Sequence, residues 1–255
     1  YTLRKKIVMK KYKIIGIAIM LLSFLMFTNQ IEAQEMEMKN NRLSSKEKSI
    51  ISIASLTAIG DLEELKVALN NGLEAELTVN EIKEILVHTY AYCGFPRSIR
   101  GLQTFMEVLD ERKARGITDT IGVEASSIIN INSKYERGKQ ILVELTGKPQ
   151  PNTLSGYSAI APVIDIFLKE HLFADIFERD ILTYAQRELV TISVISAIGD
   201  AEPMLKSHLT ISLNVGITPN QLEEFVTVIK PSIGRKKTKS VKKIVTEVLD
   251  IVQPK

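Results

Sequence analysis

One turn sequence, Ala-Ile-Gly-Asp, occurs twice in this chain, at residues 58–61 and again at residues 197–200. Each copy follows a stretch whose apolar residues recur at the spacing of one helix face, and each contains a glycine suited to end that helix. Farther along, residues 69–73 match residues 213–217, again with a glycine in the same place. Ordered matches of this kind predict two diverged copies of one helical unit.

Polar caps mark the helices of the first copy. Ser44 precedes an apolar helix that Gly60 ends, and a second helix is expected to stop at Gly72, in the left-handed conformation. Thr78 and Glu81 have capping-box spacing, which predicts the start of a third helix.

The two copies differ in length when they are aligned on these signals. Thr218 opens the counterpart of the helix that begins after Thr78. The alignment then leaves five extra residues around 202–208 in the second copy and four around 74–77 in the first. Gly-Phe-Pro at 94–96 is expected to interrupt the third helix of the first copy.

Nearly every segment indicates helix, and no continuous strand-like alternation appears, so the predicted class is all-α. The first copy is assigned to residues 34–116 and the second to residues 161–255. Residues 117–160 connect them through a polar stretch, one helix and a loop rich in Pro and Asn.

The first 33 residues have the pattern of a secretory signal. Lys10, Lys11 and Lys13 precede an apolar block at 14–27, and the exit from this block leads to a plausible cleavage position after Ala33. The 14 apolar residues fall short of the ~20 that a membrane-spanning helix needs. We therefore expect export to the periplasm or the medium, with no stable membrane anchor after cleavage.

Removal of this segment changes the charge of the chain. The full sequence has 33 basic and 30 acidic residues, and residues 1–33 contain six of the basic and one of the acidic ones. The remainder has 27 basic against 29 acidic residues, a net charge of −2. Nucleic acid is therefore not an expected partner, and the basic cluster at 235–243 is interpreted as a solvated helix face.

The cysteine and aromatic content of the chain limits how its fold can be stabilised. Cys93 is the single cysteine, which excludes an intrachain disulfide framework. Tryptophan is absent. We therefore expect a core built from Ile, Leu, Val and Ala.

Three groups of short motifs carry a resemblance to a known family. They are residues 81–88 with 92–96, residues 135–138 with 145–147 and 173–177, and residues 187–191 with 207–209 and 214–218. In this order the chain resembles the carboxymuconolactone decarboxylase family, which includes alkyl hydroperoxidase D. The resemblance implies a homo-oligomeric helical bundle, and a trimer of two-repeat chains would contain six units.

One branch of the family implies a dithiol peroxidase. That branch has a Cys-x-x-Cys pair, a Glu twelve residues before the first Cys and a His four residues after the second. Glu81 and Cys93 keep two of these positions, whereas Pro96 and Arg100 occupy the other two. A peroxidatic thiol needs a second thiol to resolve its sulfenic acid, so dithiol activity is disfavoured.

The other branch implies decarboxylation without a metal or cofactor. Loss of carbon dioxide from a small-molecule lactone acid needs a grip on the carboxylate and an acid that protonates carbon. Glu81, Glu84 and His88 lie on one stripe of a helix, and Glu81 or His88 is the hypothesised proton donor.

The remaining candidates come from neighbouring helices. Arg97 and Arg100 are proposed to hold the substrate carboxylate. His208 stands where the family often has a histidine, and it is proposed to complete the site from the second copy.

Structural roles remain open for the same residues. Glu81 also fits a helix cap, His88 fits a hydrogen-bonded core residue, and Cys93 fits an inert small apolar residue. Three functions therefore stay open: a cofactor-independent decarboxylase or related lactone or enol-acid enzyme, a single-cysteine antioxidant enzyme, and a non-catalytic exported oligomer that binds a ligand.

Overall fold

Helices form every regular element of the part of the chain that the structure describes. This computed structural model describes residues 41–129, 131–151 and 153–252, and the predicted signal segment lies outside them. The helices are α1 (Ser45–Ile59), α2 (Leu62–Glu74), α3 (Val79–Ala114), α4 (Lys134–Thr146), α5 (Tyr157–Ile160), α6 (Pro162–Ile166), a π-helix (Phe167–Phe177), α7 (Tyr184–Ile198), α8 (Glu202–Asn214) and α9 (Pro219–Val252). The predicted all-α class is confirmed.

The second copy repeats the first helix by helix. α7 corresponds to α1 at a distance of 139 residues, and α8 corresponds to α2 at a distance of 140 residues. The difference is one residue, since Gly60 and Asp61 stand where the second copy has Gly199, Asp200 and Ala201. The larger length differences that the sequence alignment predicted are therefore wrong.

Gly72 explains this error, because it does not end α2. It lies inside the helix and is buried, and a Cβ there would come within 3.0 Å of Ile53 Cδ1. Glycine thus permits the close approach of α2 to α1. The left-handed position after α2 is instead Glu76 (φ 67°), whose counterpart after α8 is Gly216 (φ 100°).

Both long helices bend at an equivalent glycine. Gly94 (φ 80°, ψ 162°) breaks α3, and Gly234 (φ 72°, ψ 172°) breaks α9. This backbone region is essentially restricted to glycine. The predicted interruption at 94–96 is confirmed, and the second copy bends in the same way without a matching Gly-Phe-Pro sequence.

The core joins the two copies. α1 packs against α7, while α3 packs on α7 and α9 packs on α1, so each copy places its long helix against the other copy's first helix. One cluster of buried apolar residues includes Ile50 and Ile53 of α1 together with Val190 and Ile192 of α7. The expected aliphatic core is confirmed, and neither copy buries its first helix by itself.

The connecting segment covers one side of this arrangement. The chain after α3 folds back, and the amide groups of Val79 and Asn80 donate to the carbonyls of Thr120 and Ile121. α4 and the π-helix then pack together over a second apolar cluster that reaches α8. This layer lies on the side where α3 crosses α7.

Candidate active site

A buried polar cluster lies where α3 of the first copy crosses α7 of the second. Three α3 residues at successive helical turns face the beginning of α7, and one residue of α8 completes the group. The members are Glu84, His88, Tyr92, Arg187, Glu188, Thr191 and His208. Buried titratable groups gathered in this way are typical of functional sites.

An ion pair between the copies anchors the cluster. The Nη2 group of Arg187 lies 2.8 Å from the Glu84 carboxylate, and both side chains are almost fully buried. Arg179 donates to both Glu84 oxygens at 2.9 and 3.0 Å, and its carbonyl accepts from Arg187. Glu84 therefore fixes Arg187 in place, since an unpaired buried charge is strongly unfavourable.

His88 connects this ion pair to α7 as a neutral imidazole. Its Nδ1 lies 3.2 Å from Arg187 Nη1, and its Nε2 lies 3.0 Å from the Thr191 hydroxyl. Because a guanidinium only donates, Nδ1 accepts and the proton sits on Nε2. Burial, followed by the charge of Arg187, lowers the pKa of His88 well below its usual range.

A second acid pairs with the other histidine. Glu188 is completely buried, and its Oε2 lies 2.9 Å from His208 Nδ1. The Tyr92 ring lies between the two histidines, with centroids 5.5 Å from His88 and 6.0 Å from His208. The predicted pair of histidines from different copies therefore does meet in one cluster.

Three polar atoms in the cluster lack a hydrogen-bond partner among the described residues: Arg187 Nε, Glu188 Oε1 and the Tyr92 hydroxyl. Buried polar atoms are normally paired, and each exception calls for an explanation. Burial and the charge of Glu188 raise the pKa of Tyr92, so its hydroxyl stays protonated. Arg187 Nε and the Tyr92 hydroxyl are donors, and Glu188 Oε1 is an acceptor.

The π-helix covers this cluster. The Phe177 ring packs edge-on against His88, with centroids 5.0 Å apart, and lies 5.9 Å from the Arg187 guanidinium carbon. Phe173 and Tyr184 extend the aromatic layer. π-Helical segments are rare and frequently accompany functional sites. The Phe177 ring helps to shield His88 and the Arg187 guanidinium from solvent.

Glu81 and Cys93 occupy positions that match their structural roles. Glu81 closes the capping box of α3, where its Oε2 accepts from the Thr78 amide at 2.7 Å. The Cys93 thiol donates to the Thr89 carbonyl at 3.1 Å. Burial raises the pKa of Cys93, which disfavours the reactive thiolate.

Arg97 and Arg100 line a different pocket. The pocket has a volume of about 190 Å³ and lies beside Gly60 at the end of α1. Arg97 packs over Gly60, and Arg100 donates to Gln103. They meet neither His88 nor His208, because the bend at Gly94 turns this part of α3 away from the cluster.

Sequence reasoning missed the guanidinium of the cluster. Arg187 and Glu188 contributed to the family resemblance but were not assigned to the site. Both stand at the head of a strongly apolar stretch, residues 189–195, which is fully buried in α7 apart from Ile195 at 4% exposure. Charged side chains in so apolar a helix were a usable signal of a buried site.

Within the described ranges, no three His, Cys, Asp or Glu side chains are grouped so that they could hold a metal ion. None of the described helices has both the length and the apolar character needed to cross a bilayer.

Comparison with known proteins covers both copies. The model of the carboxymuconolactone decarboxylase family matches residues 25–105 and 164–247. The 4-carboxymuconolactone decarboxylase of Acinetobacter baylyi is 27% identical over 99 residues, which are 38% of this chain and 73% of that protein. With two matched regions that together exceed half of its length, the chain belongs to the carboxymuconolactone decarboxylase family.

Proposed function

We propose that the buried cluster is the active site of a cofactor-independent decarboxylase, or a related enzyme, that acts on a small lactone or enol acid. The observation that carries this proposal is the set of three unpartnered polar atoms on Arg187, Glu188 and Tyr92. The activity named for the similar A. baylyi protein supports the choice of substrate class.

In the proposed reaction, Arg187 Nε and the Tyr92 hydroxyl donate to the oxygen on which negative charge develops. The bond between the substrate carbon and its carboxyl group breaks, and its electron pair enters the conjugated carbonyl as an enolate. Carbon dioxide leaves, and an acid then protonates carbon. Preorganised donors in a buried site stabilise such an enolate more strongly than water does.

We assign the acid to His208 rather than to Glu81 or His88. His208 Nδ1 lies 2.9 Å from Glu188 Oε2, and Nε2 of His208 makes no hydrogen bond with the described residues, which leaves Nε2 for the substrate. His88 is held neutral between Arg187 and Thr191, which makes it a positioning residue for the guanidinium. The 16% exposure of the His208 side chain allows reprotonation from solvent.

The test is turnover of 4-carboxymuconolactone, with release of carbon dioxide and incorporation of solvent deuterium at carbon as readouts. We expect His208→Gln to lower kcat by about 100-fold or more, the usual contribution of a positioned acid. Tyr92→Phe should lower kcat with little change in fold. Cys93→Ser is the matched control and should keep full activity.

The same variants, assayed also with peroxide as substrate, separate the alternatives. Loss of peroxide turnover in Cys93→Ser would support the single-cysteine antioxidant function instead. Tight binding of the lactone acid without release of carbon dioxide would support the non-catalytic ligand-binding function. Full activity in His208→Gln would remove the assigned acid.

Export and oligomerisation belong to the same proposal. The signal pattern of the first 33 residues supports a mature protein that begins at Gln34, which N-terminal sequencing of the exported form tests. Exposed apolar side chains at Phe95, Ile99 and Met106 of α3 support association into a homotrimer. Sedimentation velocity that shows only monomer at micromolar concentration would contradict the trimer.

A further inference from the structure

The active-site cluster has a counterpart on the other side of the molecule. The same repeat register that aligns the helices places a second set of residues where α9 crosses α1. In the order Glu84, His88, Tyr92, Arg187, Glu188, Thr191 and His208, the counterparts are Glu224, Val228, Ser232, Lys48, Ser49, Ser52 and Ala68.

The ion pair between the copies is retained at this second crossing. Lys48 Nζ lies 2.8 Å from Glu224 Oε1, the same separation as between Arg187 and Glu84. The Lys48 side chain is 41% exposed, however, whereas that of Arg187 is completely buried. The second crossing therefore keeps the charge pattern but opens to solvent.

Smaller side chains at the other positions create a groove. Valine replaces His88, serine replaces Tyr92, and alanine replaces His208. Six of the seven counterpart residues, all except Glu224, line one groove of about 600 Å³. This volume lies within the usual range for small-molecule sites. The groove thus occupies the space that the two histidines and the tyrosine fill in the active site.

The lining of the groove is mixed, with apolar side chains, small polar side chains and an acidic edge. Leu56, Val67 and Pro231 contribute apolar surface, while Asp61 and Glu64 contribute carboxylates. Lys48 is neutralised by Glu224, so the two carboxylates leave the groove negative. They outweigh the roughly half unit of positive charge expected at the start of α2.

We propose that this groove is a second ligand site, distinct from the active site, and that it takes a small primary amine on a short apolar chain. The ammonium group pairs with Asp61 and Glu64, and the chain lies along Leu56, Val67 and Val228. This site needs no catalytic group, which accords with the loss of both histidine positions.

Three probes with the same chain and different head groups test the ligand class: hexylamine, hexanol and hexanoate. Binding to the full-length protein is followed by NMR shifts at the groove. Hexylamine should bind most tightly, and its affinity should fall with added salt because the charges are partly exposed. Equal affinity for all three, tighter binding of hexanoate, or shifts that map elsewhere would overturn the proposal.

Two variants locate the site. Glu64→Gln should weaken hexylamine binding by about two- to fivefold, as expected for one exposed ion pair. Glu63→Gln, which removes a neighbouring acid that does not line the groove, is the matched control.

Ser232→Tyr restores the bulk found at Tyr92 and should abolish binding while turnover of the lactone acid is unchanged. Undiminished binding in folded Ser232→Tyr would also overturn the proposal.

Discussion

At the residue scale, the two equivalent ion pairs that join the copies differ chiefly in burial. Glu84 and Arg187 are enclosed, while the Lys48 side chain paired with Glu224 is well exposed. Removing one partner of a buried pair leaves an uncompensated charge, whereas solvent screens the survivor of an exposed pair. The equivalent positions therefore allow a matched comparison.

Glu84→Gln should lower the free energy of unfolding by about 3–5 kcal/mol, since Arg187 is left buried without its carboxylate. Glu224→Gln, the control at the equivalent position, should cost about 1 kcal/mol or less. Urea denaturation of both variants measures the difference. Equal losses would show that burial does not distinguish the pairs.

The buried neutral His88 makes stability depend on pH. Its pKa is lowered in the folded state, so below about pH 6.5, the usual histidine pKa, the unfolded chain binds a proton that the folded chain does not. Stability from this residue is therefore complete above that pH and falls as pH decreases, by up to about 1.4 kcal/mol per pH unit.

Denaturation between pH 5 and pH 7.5 checks this prediction. His88→Gln should show a shallower loss of stability towards low pH than the parent protein. An unchanged slope in His88→Gln would mean that folding does not lower the pKa of His88.

The bend in α3 limited which of its residues could be placed from the sequence. His88 precedes Gly94, and helical spacing was enough to place it on one stripe with Glu84. Arg97 and Arg100 follow Gly94, and no local pattern gives the direction of the chain after a backbone conformation with φ near 80°. The prediction that Arg97 and Arg100 lie beside His88 therefore does not match the structure, in which they line a different pocket.

At the element scale, the bends at Gly94 and Gly234 shape both long helices. Alanine at either position would adopt a backbone conformation that is essentially restricted to glycine, although no atom obstructs its Cβ closer than 3.6 Å. Gly94→Ala and Gly234→Ala should each cost about 1–3 kcal/mol from this strain alone. Arg235→Ala, an exposed neighbour, should stay within about 0.5 kcal/mol. Thermal unfolding measures these losses of stability. A loss within about 1–3 kcal/mol for only one of the two glycine variants would argue against equivalent bends.

The helices themselves were largely predictable, but the alignment of the first copy with the second was not. Caps such as Ser44 and Thr78 act locally, so their side chains identify helix starts directly. Gly72 serves a contact with Ile53 on another helix, and its sequence neighbours resemble those of a helix stop. Only tertiary packing distinguishes these two uses of glycine.

At the scale of the whole molecule, each copy depends on the other for its core. Because α1 buries its apolar residues against α7, we expect neither residues 41–116 nor residues 117–255 to fold alone. Circular dichroism should show no cooperative melting for either fragment, and mixing them should restore it. A fragment that melts cooperatively by itself would contradict this dependence.

The one-chain arrangement also has an evolutionary consequence. In a dimer of two identical single-unit chains, every substitution would appear at both helix crossings. An alanine that opened one crossing would therefore also remove the histidine from the other crossing. With both units on one polypeptide, Ala68 and His208 are encoded by separate codons and can change independently. The molecule can therefore keep one crossing closed around its charged groups while the other changes under different selection.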